Sequence, residues 1–301
     1  MVDDQWALVR AQKASIAQYI ELSAGLRGEK DRAILQSLFG HLAFIADHAL
    51  ADSARAAFEA FVASIWRPEH ASLGWERRAD DSSDERERRS LAISALGRYA
   101  NDRSVRAEAR RRLDAHLGGR ERLDPDIAGA VVSAAAVDGD NALFDRYVQR
   151  MKDSEKSDAQ EEARFRGGLA QFRDPAVVER LAKALFADLV REQDLSMMLG
   201  QTLGLPHARL AGWRAVKANW DAKIATQDPG GKHRAIGAVG MLTPKDLMPE
   251  VIAFLEEKRS ADSEETITRT VERLRISSAV ADRIAAELPG ALEKATEKAR
   301  V

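Results

Sequence analysis

The chain reads as an all-α protein, a curved superhelical array of antiparallel helix pairs. Three observations predict this. Aspartates suited to helix N-caps recur ahead of apolar faces, 38 residues apart from Asp102 to Asp140 and 34 apart from Asp140 to Asp174. A period of roughly 34 to 45 residues with two helices per unit is that of stacked helical hairpins, the HEAT- and armadillo-like solenoids. No segment alternates apolar and polar residues between turn signals, as a half-buried strand does. Between Leu210 and Asp221, the residues Leu210, Trp213, Val216 and Trp220 recur at helical spacing. One stripe therefore faces a core, with Trp213 and Trp220 as structural anchors and Lys217 and Asp221 placed for an i,i+4 ion pair beside it.

In chain order, Asp3 or Asp4 caps a first helix carrying Trp6, Val9, Ile16 and Ile20, which Gly25 and Gly28 end. Helices continue from Ile34 to Leu50 and from Ser53 to Trp66. Pro68 closes that run, because the residue before a proline is disfavoured in helical geometry. Leu73-Gly-Trp75 and the charge-dense stretch Glu76 to Arg89 come next. Arg86, Arg88 and Arg89 stand among Asp80, Asp81, Asp84, Glu85 and Glu87, so this stretch reads as a solvated loop and helix start rather than a nucleic-acid contact.

The periodic part begins at Asp102, ahead of Val105, Ala109 and Leu113. Asp124-Pro125 caps a helix through Val137, Asp140 precedes Leu143, Phe144, Tyr147 and Met151, Lys156 to Gln171 is helical, and Asp174-Pro175 precedes Val178, Leu181 and Leu185. A proline at the first helical position loses no hydrogen bond there. Beyond the tryptophan helix, Gln227-Asp-Pro-Gly-Gly231 reads as a turn. Thr243-Pro244 starts a helix through Val251, Phe254 and Leu255, and two last helices fill Glu264 to Ala299, divided near Ile276-Ser-Ser278 and interrupted at Pro289-Gly290. No linker is long or polar enough to divide the chain, so residues 1–301 read as a single helical-repeat domain.

Composition excludes several classes of function. Lys plus Arg number 46 against 48 Asp plus Glu, a net charge of -2, so no global field favours nucleic acid or anionic lipid. No apolar run approaches the ~20 residues that span a bilayer, and the first residues lack a signal peptide's basic and apolar regions. With no cysteine there are no disulfides or thiolate metal sites, which fits a reducing, cytoplasmic setting. A zinc peptidase site needs two histidines four apart on a helix with a glutamate beside the first. His41, His48, His70, His116, His207 and His233 include no such pair. His41 and His48, seven apart, read as ordinary helix residues. Asp138-Gly-Asp-Asn141 is too short for a calcium loop, and Gly230-Gly-Lys232 lacks the context of a phosphate loop. The chain is expected to hold no catalytic residue, no metal ligand and no cofactor of its own.

The segment from Ala211 to Asp221 resembles the A-W-x-F-V-K-x-N-W-D stretch of the C-terminal helical, endoplasmic-reticulum-aminopeptidase-like domain in zinc aminopeptidases of the aminopeptidase N and puromycin-sensitive aminopeptidase family. Asp3-Asp-Gln-Trp-Ala-Leu8 is similar to that domain's opening, D-D-A-W-A-L, although Gln12-Lys13 departs from the family's pattern a few residues later. Leu73-Gly-Trp75, Leu123-Asp-Pro-Asp126, Phe172-Arg-Asp-Pro175, Val190-Arg-Glu-Gln-Asp194 and Met241-Leu-Thr-Pro244 occur in the family's order, from residue 3 to about residue 275. The family's G-x-M-E-N motif is absent, like its zinc site.

The resemblance implies a non-catalytic domain, a bowl of paired helices that arches over the catalytic portion, encloses its chamber and limits which peptides enter. The parent enzyme would remove N-terminal amino acids from peptides, with zinc in the catalytic domain absent here. An opening at Met1 directly on this motif implies a cut gene or an expression boundary. Partners implied are the catalytic portion of the same aminopeptidase and a peptide substrate, not nucleic acid or membrane. The opening helices around Trp6 would face the rest of the enzyme. For the carboxylate of a peptide, only Arg214 and Lys217 can be carried over, with Ala215 replacing the usual aromatic between them. The alternative is an independent helical-repeat scaffold that binds a protein partner on its concave face.

Overall fold

A computed structural model describes residues 1–187 and 189–298, and the side chain of residue 298 falls outside that description. Among the described residues there are fifteen α-helices and two π-helical turns, and no strand. None of these helices is long and apolar enough to cross a membrane.

The opening differs from expectation. α1 (Val2–Arg10) begins at Met1 without a side-chain cap, and Asp3 instead accepts a bond from Ser37 Oγ at 3.0 Å. Gln12 takes a positive φ of 60°, and Ser15 with Gln18 forms a capping box that starts a separate α2 (Ile16–Ala24). The expected single helix is thus two, and Gly25 ends only the second. α3 (Arg32–Phe44) runs into a π-helical turn, Ile45–Ala49. α4 (Asp52–Leu73) passes through Pro68 and stops at Gly74, whose φ is 63°. Trp66, Glu69 and Leu73 keep one buried face across the proline, so packing outweighs the lost bond.

The charge-dense stretch is also less solvated than its composition implied. α5 (Ser83–Arg98) begins with a Ser82–Glu85 capping box, and Arg88 and Arg89 are buried. Arg88 meets Glu69 at 2.8 Å and Arg89 meets Asp81 at 2.5 Å. Arg89 also donates to the Leu73 carbonyl at 3.2 Å, and a buried guanidinium is tolerated when a carboxylate pairs with it.

From there the aspartate caps are as read. Asp102, Asp124, Asp140 and Asp174 each accept backbone N–H bonds, opening α6 (Arg103–Leu117), α7 (Pro125–Ala136), α8 (Asn141–Ser154) and α10 (Pro175–Ala184). Asp158 does the same for α9 (Ala159–Leu169). Next in order are α11 (Glu192–Gly204) and α12 (Arg209–Asn219), and α12 ends in the second π-helical turn, Trp220–Ile224. The expected turn at Asp228 to Gly231 is the capped first turn of α13 (Pro229–Val239). α14 (Met248–Glu257) starts later than Thr243, which is buried with Oγ1 3.0 Å from His48 Nδ1. The two expected last helices are one, α15 (Glu264–Lys298), continuous through Ser277 and Pro289. Its buried stripe, Ile267, Val271, Leu274, Ile284, Leu288 and Leu292, packs on neighbours along its whole length and holds both weak points straight.

Helices two apart in sequence lie side by side, so α5, α7 and α9 form one row and α8, α10 and α12 another. The odd-numbered row is the closer packed: a Cβ placed on Gly97 would lie 2.6 Å from that of Ala134, and one on Gly168 only 2.7 Å from Val132 Cγ1. An array with one row more closely spaced bends toward that row. The bend is closed rather than open, since α15 crosses α2, α4 and the first π-helical turn. Glu287 accepts from the backbone N–H of Ile16 at 3.3 Å, and Arg283 donates to the carbonyl of Val9.

Candidate functional site

Trp213 and Trp220 are buried and straddle Phe254 of α14 edge-on, with ring centroids 5.3 and 5.2 Å away. Leu210 does not share their stripe, being 54% exposed. In the first turn of α12 the buried side is carried by Arg209, Ala211 and Gly212 instead, so helical spacing alone misplaced it.

Arg214 and Lys217 are exposed on α12, and both are engaged. Arg214 pairs with Glu179 of α10 at 2.5 Å, and Lys217 pairs with Glu250 of α14. Glu250 also accepts from Trp213 Nε1 at 2.9 Å, and these bonds, Lys217's first, hold its carboxyl below the ordinary range. The expected Lys217–Asp221 pair is absent. Asp221 lies in the π-helical turn and takes Lys258 at 3.0 Å.

Two groupings look chemical and are structural. Asp3 Oδ1 lies 3.5 Å from His41 Nε2, and His41 Nδ1 lies 2.8 Å from the Tyr19 hydroxyl. A carboxylate, an imidazole and a hydroxyl in line resemble a nucleophile relay. Tyr19, however, has no exposed surface, and burial pushes its hydroxyl pKa up, which disfavours the anion. Trp6 stacks on His41 at 4.7 Å and is 7% exposed, so its ring belongs to the core of the opening helices. His116 Nδ1 accepts from the Leu123 N–H at 3.3 Å, which leaves Nε2 to donate to Glu161 at 2.6 Å. That pair fastens α6 to α9. His41 and His48 meet different partners, and no cluster of three His, Asp or Glu suited to a metal occurs among the described residues.

The feature that sequence reading missed is a polar hub where the C-terminal ends of α5, α9 and α11 converge on the first π-helical turn. It encloses a cavity of about 260 Å³ lined by Asp47, Glu59, Arg98, Tyr99, Arg173 and His207, among others. The converging helix ends supply the reason for its charge, because unsatisfied carbonyls and helix dipoles favour cations there. Arg173 donates to the carbonyl of Arg98 at 2.6 Å, His207 Nε2 lies 3.0 Å from the carbonyl of Ala170, and Arg209 donates to the carbonyls of Gly204 and Asp47. The Arg98 guanidinium sits 4.7 Å over the Tyr99 ring, and the Tyr99 hydroxyl donates to Asp47 Oδ2 at 3.2 Å.

Burial governs the protons of this hub. It lowers His207 and His48 to about 4. It lowers Arg173, with Arg106 and Arg98 adding repulsion, and lowers Arg209 to about 10. It raises Asp47 against the opposing pull of Arg98, Tyr99, Arg209 and Arg173. Arg55, also in the lining, pairs with Asp52 at 2.7 Å. Among the described residues Arg98 and Arg173 have no carboxylate within ion-pair distance. The hub therefore offers two guanidinium groups beside a half-open cavity, an arrangement that can receive a carboxylate.

The ERAP1-like C-terminal domain family matches residues 1–276. Aminopeptidase M1 of Arabidopsis thaliana is 25% identical over 288 residues, covering 92% of this chain and 32% of its own length. Aminopeptidase M1-C of Oryza sativa subsp. japonica is 26% identical over 289 residues, with the same shares. Aminopeptidase N of Lactococcus lactis subsp. lactis is 22% identical over 308 residues, covering 99% of this chain and 36% of its own. The chain spans about a third of the length of these relatives.

Proposed function

The chain belongs to the ERAP1-like C-terminal domain family, and from that premise we propose that it is the non-catalytic C-terminal domain, residues 1–301, of a zinc aminopeptidase. In this reading it encloses the active-site chamber of the catalytic portion and controls which peptides reach it, while the parent enzyme removes N-terminal residues. Zinc and its ligands belong to the catalytic portion, in keeping with the lack of a His-Glu-x-x-His motif here. A cytoplasmic setting is part of the same proposal.

The observation that carries the peptide half of the reading is the arginine-lined cavity of the hub. Arg98 and Arg173 face it with no carboxylate within 4.0 Å among the described residues, so an incoming peptide carboxylate exchanges water for two charge-assisted donors and breaks no direct ion pair. A peptide contact at Arg214 and Lys217 would first have to displace Glu179 and Glu250.

The test uses the purified chain. It should bind no stoichiometric zinc and hydrolyse no aminoacyl amide, with or without added Zn²⁺, and should associate with a separately produced catalytic portion. Zinc-dependent turnover by the chain alone, abolished by replacing one of its own histidines, would refute the non-catalytic assignment. Failure of the two portions to associate would favour an independent scaffold.

A further inference from the structure

The hub contains one carboxyl group set opposite the same arginines that the proposed function assigns to a peptide carboxylate. Asp47 projects from the π-helical turn Ile45–Ala49, and its own carbonyl is held by Arg209. Its Oδ2 takes the Tyr99 hydroxyl at 3.2 Å, the ring beneath Arg98. No ion pair joins Asp47 to Arg98 or Arg173 within 4.0 Å, and the three share the lining of the same 260 Å³ cavity. The carboxylate thus faces the guanidinium groups across a space large enough for another carboxylate.

Resting on the reading that Arg98 and Arg173 receive a peptide carboxylate, we propose that Asp47 is a built-in competitor for that site. With the cavity empty its carboxylate is the counter-ion of the two arginines. A ligand carboxylate takes over that role, Asp47 accepts one proton from solvent, and ligand and proton are taken up together. The reason is electrostatic: a ligand carboxylate seated closer to the guanidinium groups takes up their positive field and adds a like charge near Asp47, which is already desolvated, and both effects favour its protonated form.

The groups around Asp47 leave it as the titrating member. Arg98 and Tyr99 face it from α5, Arg173 from the loop after α9, Arg209 from α12, His207 from the loop before α12, and Arg55 and Glu59 from α4. His48 is its neighbour on the same turn. His48 and His207 stay neutral down to a pH of about 4. Glu59 accepts from Asn101 Nδ2 at 3.2 Å, outside the Asp47–Tyr99 contact. Burial already holds the Asp47 carboxyl above the ordinary range, the direction in which an approaching ligand carboxylate would push it further.

The experiment is calorimetric titration of the whole chain with N-acetyl-alanyl-alanine, which has a free carboxylate and no ammonium group. It is run at pH 6.5 and 7.5 in buffers of different ionisation enthalpy. The expected result is uptake of about one proton per ligand, and a Kd that weakens up to about tenfold per pH unit. Asp47→Asn should bind more tightly at pH 7.5, without proton uptake. Tyr99→Phe, which removes the hydroxyl that favours the ionised carboxyl, should shift in the same direction and serves if Asp47→Asn does not fold. Proton uptake unchanged in these variants, or weaker binding by Asp47→Asn, overturns the competitor while leaving the carboxylate site standing. Binding unaffected by Arg98→Gln, or absent from both the native chain and Asp47→Asn, removes the site itself.

Discussion

Between α5, α7 and α9 successive repeats are joined where side chains are missing, and between α6, α8, α10 and α12 they are joined by long charged ones. In the first row Gly97 lies against Ala134 and Gly168 against Val132 and Tyr147, so the backbones close to apolar contact. In the second, Asp114 pairs with Arg146, Asp145 with Arg180 and Glu179 with Arg214, one rung per step. Lys217–Glu250 continues the series to α14 and Arg67–Asp102 precedes it from α4. Close packing loses its attraction over a fraction of an ångström, whereas an exposed ion pair is worth about 0 to 1 kcal/mol and tolerates some play. The odd-numbered row therefore carries stability, and the ladder sets spacing and register on the outer side of the bend.

Acidification should have the largest effect, and it acts at the ends of the odd-numbered row. His48 and His207 have folded pKa values of about 4 against 6.5 in the unfolded chain. Above pH 6.5 they contribute no pH dependence. As pH falls from 6.5 toward 4 the unfolded state binds their protons and the folded state does not, so stability is lost. The limit for two protons is about 2.7 kcal/mol per pH unit, lessened because Asp47, raised in the fold, works in the opposite sense. Thermal unfolding followed from pH 7 to pH 5 should show a falling midpoint. His48→Gln combined with His207→Gln should make that profile shallower.

A sharper probe lies in two adjacent glycines of α9. A Cβ on Gly168 would come 2.8 Å from Tyr147 Cε1 as well as 2.7 Å from Val132, while one on Gly167 meets nothing within 4 Å. Gly168→Ala should destabilise by about 1 to 3 kcal/mol through overpacking. Gly167→Ala should stabilise by up to about 1 kcal/mol through helix propensity. Chemical denaturation of both variants measures the two signs, and equal effects would show that the row is not closed at Gly168.

The smallest effect belongs to the ladder. A double-mutant cycle of Asp145→Asn and Arg180→Gln should give a coupling of about 0.2 to 1 kcal/mol at low salt. It should fade in 1 M NaCl, where the screening length is about 3 Å. A coupling that survives high salt would move the rung from surface spacing to core support.

Much of the array was legible because its cause is local. An aspartate that accepts the N–H groups two or three residues ahead acts within one turn, so Asp102, Asp124, Asp140 and Asp174 mark helix starts in sequence as in space. The errors share the opposite cause. Pro68, Ser277 and Pro289 are helix-weakening residues whose cost was overruled by buried faces on either side. Arg88 was assigned to solvent because Glu69 stands far from it in sequence, and Arg89 because packing, not its nearby partner Asp81, is what buries it. Arg214 was read as open to a peptide carboxylate and Lys217 as the neighbour of Asp221 for the same reason: their partners in the fold, Glu179 and Glu250, are 35 and 33 residues away.

The sequence by itself determined that this protein is helical, that its units recur every thirty-odd residues, that Trp213 and Trp220 are anchors, and that its ordered motifs resemble one domain family. Those properties arise from hydrogen bonds within a turn, from helical periodicity and from motif order. Only the tertiary structure decided that the array closes on itself through α15, and that Asp47, Arg98, Arg173 and His207 surround one cavity. These four belong to four separate segments, each ordinary in its own stretch of chain. They are united by the convergence of several helix ends, whose carbonyls and partial negative charges call for cations from wherever the fold can supply them.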